Sequence, residues 1–351
     1  MDIDFLNQAL ESYLPAKRKR SPNGWVSFNA PCCIHNGESA DTRGRGGLVN
    51  NNGGTISFHC FNCGFKTSYT PGRPISYKFR KFLRWLGASE NEIRRLVIEA
   101  IRLKELIEIQ NPDLAPAEER DFAVRSLPAE AVNFLAIAEF HTLGDSDFPF
   151  NFVRAVNYVY SRNINMQEYE FFWADTIENK MSYRVIVPFY WKNKLVGWTA
   201  RSTEDGIKPK YFSNHEPDFV FNINKQSADN KFVIVTEGVF DAMAIDGVSV
   251  LGNNCSEIQA EIIDNLGKEV IVVPDFDQHT NTNQRKVWPG QQLIEAALEY
   301  GWTVSFPLWS ETCKDVSDAV NKYGKLFALK SILDGRIDNK LKIQLMTKKL
   351  A

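Results

Sequence analysis

Apolar and polar residues follow two alternating patterns in the first third of the chain. Leucines four residues apart in 2–14 predict an amphipathic helix, and apolar positions at helical spacing in 75–108, beside many arginines and lysines, predict one or two more. Between them, residues 22–68 alternate polar, glycine and aromatic positions and contain four of the six cysteines. This stretch predicts a small, loop-rich unit with too few aliphatic residues for a core of its own.

The middle of the chain begins with a break in the pattern. Residues 111–120 combine two prolines with dense charge, which predicts a linker between domains. After it the pattern predicts a short helix near 128–140 and strands at 183–190 and 194–200.

The last part of the chain carries the strongest strand patterns. Apolar runs at 232–235 and 270–273 are typical of buried strands, and helical stretches near 240–246 and 256–266 separate them. Strands that alternate with helices predict an α/β sheet. The pattern ends in a basic helical tail at 326–351.

Length and composition describe an ordinary globular chain of two or three domains, with 351 residues, 44% hydrophobic and 24% charged. No apolar run approaches the roughly 20 residues that a membrane span needs. The first 20 residues lack the apolar core and cleavage site of a secretion signal. We therefore expect a cytoplasmic protein that does not enter a membrane.

The net charge of −2 conceals an uneven distribution. Residues 1–110 hold 16 Lys and Arg against 10 Asp and Glu, whereas the remainder holds 25 against 33. A basic front part and an acidic back part predict a module that binds a polyanion, joined to a part with clustered carboxylates. Chance segregation of charge is the simpler alternative.

Two pairs of metal-binding residues lie in the cysteine-containing stretch. Cys32 and His35 form a C-x2-H pair, and Cys60 and Cys63 form a C-x2-C pair after 24 intervening residues. Because two intervening residues let each pair grip one ion from a tight turn, the spacing predicts a closed, structural zinc site that holds this unit folded. Cys33 is an alternative to Cys32 as a ligand, and a set of reduced, unligated cysteines is the alternative to zinc.

Cations and aromatic rings surround the predicted zinc site. They are Arg43, Arg45, Phe58, His59, Phe61, Phe65 and Lys66. This mixture suits the unstacked bases and phosphates of single-stranded nucleic acid. At least half of the aromatic rings are expected instead to form the minimal core of the unit.

Four carboxylates follow the two buried strands. Glu237 and Asp241 come after the first, where Gly238 permits a tight strand-to-helix turn, and Asp275 and Asp277 come after the second. Strand ends of an α/β sheet share one edge, and alternate residues of a strand point to one side, so we expect these acids to converge. Such oxygen donors suit Mg²⁺. A helix cap or a solvated turn is the alternative for any one of them.

This arrangement of acids resembles the Toprim motif shared by bacterial and phage primases, type IA and II topoisomerases and RecR-type repair proteins. The resemblance rests on Glu237-Gly-x-x-Asp241 followed by Asp275-x-Asp277. The two cysteine-containing pairs narrow it to the primases, and residues 184–189, 197–201 and 209–214 are similar to the segment that precedes Toprim in bacterial-type primases. The similarity covers residues 25–320, with residues 278–289 as a departure from the family pattern.

The resemblance implies a multidomain fold. It consists of a small zinc-binding β-ribbon, an α+β subdomain with a basic groove, an α/β Toprim domain and a helical C-terminal tail. The expected boundaries are 1–72 for the zinc ribbon, 73–125 for a helical segment and linker, 126–228 for the groove subdomain, 229–312 for the Toprim domain and 313–351 for the C-terminal helical segment.

The resemblance also implies the roles of the acids. Glu237, Asp275 and Asp277 would hold two or more Mg²⁺ or Mn²⁺ ions, Glu237 would also handle a proton, and Asp241 would support the site or bind a second metal. Lys314-Asp315-x-x-Asp318 resembles a later family element, which makes Asp315 and Asp318 additional metal-site candidates. The start of a helix is the alternative role for that pair.

For the basic residues, the resemblance implies contacts with template and nucleoside triphosphate. Arg201 and Lys210 match the family's groove residues, and Arg184 and Lys225 are further candidates. A salt bridge at a strand edge is the alternative for Arg184.

The function implied by this resemblance is that of a DNA primase, a nucleotidyltransferase that makes short RNA primers from NTPs on single-stranded DNA, with the ribbon selecting the start site. No G-x-x-x-x-G-K-[ST] sequence occurs, so the expected partner is a separate replicative hexameric helicase, and the compact tail favours a phage primase.

A RecR-like, non-catalytic DNA-binding protein and a Toprim nuclease are the alternatives. The first lacks the segment with Arg201 and Lys210, and the second offers no reason for a zinc ribbon.

Overall fold

The computed structural model describes residues 4–51, 53–110, 121–276, 290–310 and 313–350. Within these ranges the chain forms three five-stranded sheets. Among the described residues, no helix is both long enough and apolar enough to cross a membrane.

The first sheet is antiparallel and follows the order of the chain. Its strands are β1 (Arg18–Arg20), β2 (Val26–Phe28), β3 (Gly46–Asn50), β4 (Ile56–Cys60) and β5 (Lys66–Tyr69). Three helices accompany it: α1 (Phe5–Tyr13), α2 (Tyr77–Trp85) and α3 (Glu90–Gln110). The helices predicted at 2–14 and 75–108 are confirmed, the second as a pair.

This sheet shares its core with the helices. Leu6 and Leu10 of α1 are completely buried, and the Phe58 ring of β4 lies 5.7 Å from that of Phe28 and 4.1 Å from that of Phe82 in α2. Burying three aromatic rings together supplies the apolar area that the short strands lack. The prediction that the cysteine-containing stretch has no core of its own is therefore confirmed.

The second sheet is also antiparallel, in the order β10-β9-β8-β7-β6. Its strands are β6 (Ala131–Asn133), β7 (Phe172–Ala174), β8 (Arg184–Trp191), β9 (Lys194–Ser202) and β10 (Tyr211–Asn214), and its helices are α4 (Phe134–Leu143) and α5 (Phe150–Ser161). The strands predicted at 183–190 and 194–200 are confirmed as β8 and β9. Apolar residues of α5 pack against β8, which is buried over most of its length.

The third sheet has the order β12-β11-β13-β14-β15. Its strands are β11 (Phe232–Thr236), β12 (Val248–Ser249), β13 (Glu269–Val272), β14 (Thr303–Ser305) and β15 (Arg336–Ile337), of which only β15 is antiparallel to its neighbour. The helices of this part are α6 (Val239–Ala244), α7 (Glu257–Asp264), α8 (Gln291–Tyr300), α9 (Val316–Tyr323), α10 (Lys325–Asp334) and α11 (Lys340–Leu350). Strands alternating with helices confirm the predicted α/β sheet.

The C-terminal segment, which the sequence predicts as a helical tail, packs on the third sheet. β15 completes the third sheet, and Val316 and Ile332 are buried in one cluster with Ile271 of β13. Ile343 of α11 is buried in the cluster that contains Trp302. A two-residue strand has no periodic pattern, so the sequence could not show this integration.

Two sets of contacts join the three sheets to one another. Every residue of α6 is buried, because this helix packs between the second and third sheets. The first unit reaches the third sheet through α2, where Tyr77 Oη lies 3.3 Å from Thr303 Oγ1 and the buried Lys81 donates to the Asp338 carbonyl over 3.1 Å.

Candidate functional site

Four cysteines of the first unit surround one point. Cys32 and Cys33 stand at the start of a short 3-10 helix, Cys60 is the last residue of β4, and Cys63 lies in the turn from β4 to β5. Their sulfur atoms lie within 4.8 Å of one another, with 3.5 Å separating Cys32 from Cys63 and 3.5 Å separating Cys33 from Cys60. Four thiolates on one zinc ion lie about 3.8 Å apart, so the cluster fits a tetrahedral zinc. The hydrogen bond between Cys32 and Cys63 lowers the pKa of Cys63 and raises that of Cys32, so without an ion the pair shares one proton. A coordinated zinc ion would hold both as thiolates.

The predicted His35 ligand is replaced by Cys33 in this cluster. The His35 ring stacks on the Trp85 ring of α2, with centroids 4.8 Å apart and planes 5° apart. The Asn62 amide donates to the Cys33 sulfur over 3.4 Å. The described residues thus offer four cysteines in place of three cysteines and a histidine, and Cys33 joins Cys32 without displacing it.

An aromatic face, made of Trp25, His59 and Phe61, lies on the same sheet. Phe61 is 62% exposed, and its ring centroid lies 4.3 Å from that of His59 and 6.2 Å from that of Trp25. Phe58 and Phe65 are buried in the core of the unit. The expectation that half of the predicted rings serve the core is therefore confirmed.

A second site lies where the second and third sheets meet. Glu237 follows β11, Asp275 follows β13, and Asp241 lies in the first turn of α6. All three line one cavity of about 350 Å³. Because β12 and β13 lie on opposite sides of β11, these acids stand at the topological switch point of the sheet, where α/β proteins bind ligands.

Backbone groups hold the acids in place. The Asp275 N–H donates to Oε1 of Glu237 over 3.2 Å, and the Ser317 N–H donates to Oδ1 of Asp241 over 2.9 Å. A Cβ atom at Gly238 would lie 2.7 Å from Oδ2 of Asp241, whereas its φ of −102° suits any residue. Glycine is therefore needed for the close approach of the carboxylate and not for the conformation of the turn.

Burial controls the ionisation of these acids. Burial raises the pKa of Glu237 to about 7, although the Asp275 N–H opposes it. Burial and the negative charge of Asp315 raise the pKa of Asp241 to about 7, and burial also raises that of Asp315. Carboxylate oxygens are the donors that Mg²⁺ and Mn²⁺ prefer, and a divalent cation would stabilise these acids as anions. Among the described residues, however, only the four cysteines bring three or more ligand atoms within 4.8 Å of one another.

The later acid pair forms the start of α9. Oδ1 of Asp315 accepts the Asp318 N–H over 2.8 Å, and Oδ2 of Asp318 accepts the Lys314 N–H over 3.2 Å. Asp315 also lines the cavity, whereas Asp318 is not among the lining residues. The structure therefore gives both acids a role at the start of α9, and Asp315 also faces the cavity. Asp277 lies outside the described residues.

Basic and aromatic residues also line the cavity, and Arg201, Lys210 and Tyr211 are called its basic wall below. Arg201 of β9 pairs in register with Tyr211 of β10, and its guanidinium lies 4.8 Å from the centre of that ring. Lys210, which precedes β10, lines the cavity too. The structure thus brings Arg201 and Lys210 together with Glu237 and Asp241.

Arg184 plays a different part from the predicted groove residue. It is completely buried at the start of β8, and its guanidinium donates to the carbonyls of Pro209, Ala200 and Asn179 over 2.8, 3.2 and 3.3 Å. It therefore holds the loop before Lys210 against β9. The sequence predicted either a groove contact or a salt bridge at a strand edge for Arg184. The structure shows neither, because backbone carbonyls surround its charge.

Lys225 also lies away from the cavity. Its ammonium group donates to the Glu168 carbonyl and lies 3.8 Å from the centre of the Tyr169 ring. It is not among the cavity-lining residues. The structure therefore does not bring it to the basic wall.

We expect an Arg184→Met variant to lose about 2–4 kcal/mol of its free energy of unfolding, because several buried carbonyls lose their donor. Urea denaturation followed by tryptophan fluorescence measures this loss. Arg102→Met, at an exposed position of α3, should change stability by less than about 0.5 kcal/mol. An Arg184→Met protein of unchanged stability would contradict the assigned role.

The cavity also contains residues that carry no motif. Arg162 follows α5, His215 follows β10, and Asn253 lies in the loop after β12. Thr199, by contrast, lies within the 197–201 segment and two residues before Arg201 on β9, so strand periodicity could have found it. Arg162 comes from a helix distant in sequence, and only the packing of α5 places it here.

Comparison with known proteins found similar solved structures but no similar sequence. No protein-family model matches the sequence, and no curated protein matches it. The chain is similar to the DnaG primase catalytic domain solved with ssDNA, with a TM-score of 0.43 and 17% identity over 61% of this chain and 82% of that one. For the E. coli primase catalytic core the TM-score is 0.43, with 16% identity over 61% of this chain and 84% of that one. An Aquifex aeolicus primase structure with zinc-binding and RNA polymerase domains aligns over 96% of this chain and 84% of that one, with a TM-score of 0.43 and 16% identity.

Proposed function

We propose that this protein is a DNA primase of the Toprim type, which makes short RNA primers from NTPs on a single-stranded DNA template. The convergence of Glu237, Asp241 and Asp275 with Arg201 and Lys210 in one cavity carries this proposal. Phosphoryl transfer needs divalent cations and positively charged side chains within reach of the same phosphate groups. The carboxylates suit the first requirement, and the two basic residues suit the second.

In the proposed reaction, the 3′-hydroxyl oxygen of one nucleotide attacks the α-phosphorus of the next. A phosphodiester bond forms, the bond to pyrophosphate breaks, and the hydroxyl loses its proton. Mg²⁺ or Mn²⁺ ions held by Glu237 and Asp275, with Asp277 as a further candidate ligand, would supply positive charge to the attacking and leaving oxygens. Glu237 takes part in removing the proton, and Asp241 supports the acid cluster from α6.

The basic residues and the zinc ribbon have separate proposed roles in binding nucleotide and template. Arg201 and Lys210 offset the phosphate charge of nucleotide and template, and Arg184 holds the loop that carries Lys210. The zinc-bound ribbon selects the start site, with the aromatic face offering rings on which template bases stack. A separate replicative helicase is the proposed partner, and the cytoplasm, of the host for a phage protein, is the proposed location.

Short RNA products should form when the protein is incubated with single-stranded DNA, labelled NTPs and Mg²⁺. We expect Asp275→Asn to lower their amount by about 100-fold or more, because the site loses a charged metal ligand. Asp334→Asn, on the exposed end of α10, is the matched control and should leave the yield unchanged.

Other outcomes would favour the alternative functions. Binding of DNA without product from any of the four NTPs would favour a RecR-like protein. Shortening of the template, lost in Asp275→Asn, would favour a nuclease. Equal products from Asp275→Asn and the unmodified protein would overturn the assigned site.

A further inference from the structure

A row of alternating aromatic and basic residues leads from the basic wall towards the acids. The Arg201 guanidinium lies 4.8 Å from the centre of the Tyr211 ring and 5.8 Å from that of Tyr158, and the Arg162 guanidinium lies 5.3 Å from the Tyr158 ring. These are cation–π distances, which orient planar guanidinium groups. The row therefore fixes the positions of two arginines relative to each other.

Tyr158 is anchored to the helix that carries Asp241. Its ring meets that of Phe240 in α6 at 84° with centroids 5.4 Å apart. Tyr158 and Arg162 are one helical turn apart at the end of α5, so both are set by the packing of α5 against α6. This packing places Arg162 in the wall of the cavity, beside Asp241 and Asp315.

The surroundings of Arg162 favour its positive charge. Burial opposes its ionisation, but Tyr158, Asp315 and Asp241 outweigh burial and raise its pKa, so it stays charged. Nε of Arg201 is buried and has no hydrogen-bond partner among the described residues. A buried donor without a partner is unfavourable, and a hydrogen bond to an anionic ligand oxygen would remove that penalty.

We propose that Arg162 binds the β- and γ-phosphates of the incoming nucleoside triphosphate, with Tyr158 as the residue that positions both arginines. The inference rests on the proposed function and deepens it. A guanidinium presents a planar set of donors that matches phosphate oxygens in pairs. Arg162 is half-buried inside a cavity of about 350 Å³, which suits the phosphate tail of one nucleotide better than the backbone of a long strand.

Arg162 and Tyr158 variants test this assignment by the ratio of triphosphate to monophosphate affinity. The probes are each of the four NTPs and the corresponding NMPs, titrated into the full chain with Mg²⁺. We expect Arg162→Ala to weaken NTP binding about 10- to 100-fold and NMP binding less than twofold, because only the NTP carries the contacted phosphates. Arg162→Lys should give an intermediate loss, since it keeps the charge but not the paired donors.

Two matched variants separate positioning from folding. Tyr158→Leu should lower the ratio of NTP to NMP affinity as Arg162→Ala does. Tyr158→Phe keeps the aromatic ring and should therefore keep the wild-type ratio. Arg154→Ala removes an arginine two turns earlier on α5, where it pairs with Glu204 outside the cavity, and should leave the ratio unchanged. Thermal denaturation of each variant identifies any that fails to fold, in which case Arg162→Lys and Tyr158→Phe decide.

Three results would overturn the inference. The first is a folded Arg162→Ala protein whose ratio of NTP to NMP affinity is unchanged, and the second is an equal loss of NTP and NMP affinity in that variant. The third is an Arg162→Ala protein that needs more Mg²⁺ but binds NTP with unchanged affinity once Mg²⁺ is saturating. The last result would make Arg162 only a counter-ion of Asp241 and Asp315. Failure of the proposed function is recognised separately, because a protein that makes no primer still yields a measurable ratio.

Discussion

A Glu237→Gln variant is expected to lose primer synthesis by about 100- to 1,000-fold and to gain stability in metal-free buffer at pH 8. The activity falls because the amide is a poor ligand for a divalent cation and cannot take up a proton. The stability rises because burial raises the pKa of Glu237 to about 7, so the wild-type protein carries an unfavourable buried charge at pH 8.

The sign of the pH dependence follows from linkage. At pH 4 the carboxyl group is largely protonated in both folded and unfolded states, so the two proteins should be nearly equally stable. As the pH rises towards 7, the unfolded chain releases this proton first, and the wild-type protein loses stability; above pH 7 the penalty stays constant. We expect the variant to exceed wild type by roughly 1–3 kcal/mol at pH 8.

Urea denaturation at pH 4 and pH 8, without added Mg²⁺, measures this difference. A chelator must be avoided because it would remove the zinc. Glu295→Gln, at an exposed position of α8, is the control and should match wild type in both activity and stability. A Glu237→Gln protein that is less stable than wild type at pH 8, or equally active, would contradict the assigned environment.

The second large effect is expected at the cysteine cluster. Cys33→Ser should reduce the zinc content from one ion per chain to none, whereas His35→Ala should retain it, because Cys33 and not His35 lies in the cluster. Loss of the ion should unfold the ribbon, since structural zinc contributes about 10–16 kcal/mol to small zinc-binding units. Metal analysis by atomic emission after gel filtration gives the stoichiometry.

Activity assays extend this test. Cys60→Ser should behave like Cys33→Ser and lose the choice of start site, while NTP binding at the second cavity persists. His35→Ala loses only its ring contact with Trp85, which costs about 1 kcal/mol. The reverse pattern, with zinc lost from His35→Ala and kept in Cys33→Ser, would restore the histidine as the ligand.

Local sequence patterns determine fewer of the contacts in this chain than the packing of distant elements does. Continuous apolar runs predicted β11 and β13, and the pairing of these strands in one sheet explains why Glu237 and Asp275 share a cavity. The C-x2-H spacing at Cys32 and His35 was equally clear, yet the Trp85 ring on α2 holds the histidine outside the cluster. A short pattern specifies candidates for a contact, and the neighbouring element decides among them.

Charge was the least predictable property from the sequence. Arg184 and Arg201 both belong to strands of the second sheet, but Arg184 is enclosed by backbone carbonyls whereas Arg201 lines the cavity. Arg162 was missed altogether, because its helix carries no motif. Which face of a strand or helix meets a cavity depends on packing with elements distant along the chain.

The sequence by itself determined the helices and strands of strong periodicity, the cysteine-rich unit without its own core, and the acids that follow neighbouring strands. These depend on side-chain spacing and on residue chemistry, which a sequence displays directly. Only the tertiary structure decided that Cys33 completes the cysteine cluster, that Arg184 supports a loop, and that Arg162 joins Asp241 in one cavity. These depend on which distant elements pack together, because contacts between them are set by burial of shared apolar surface rather than by local spacing.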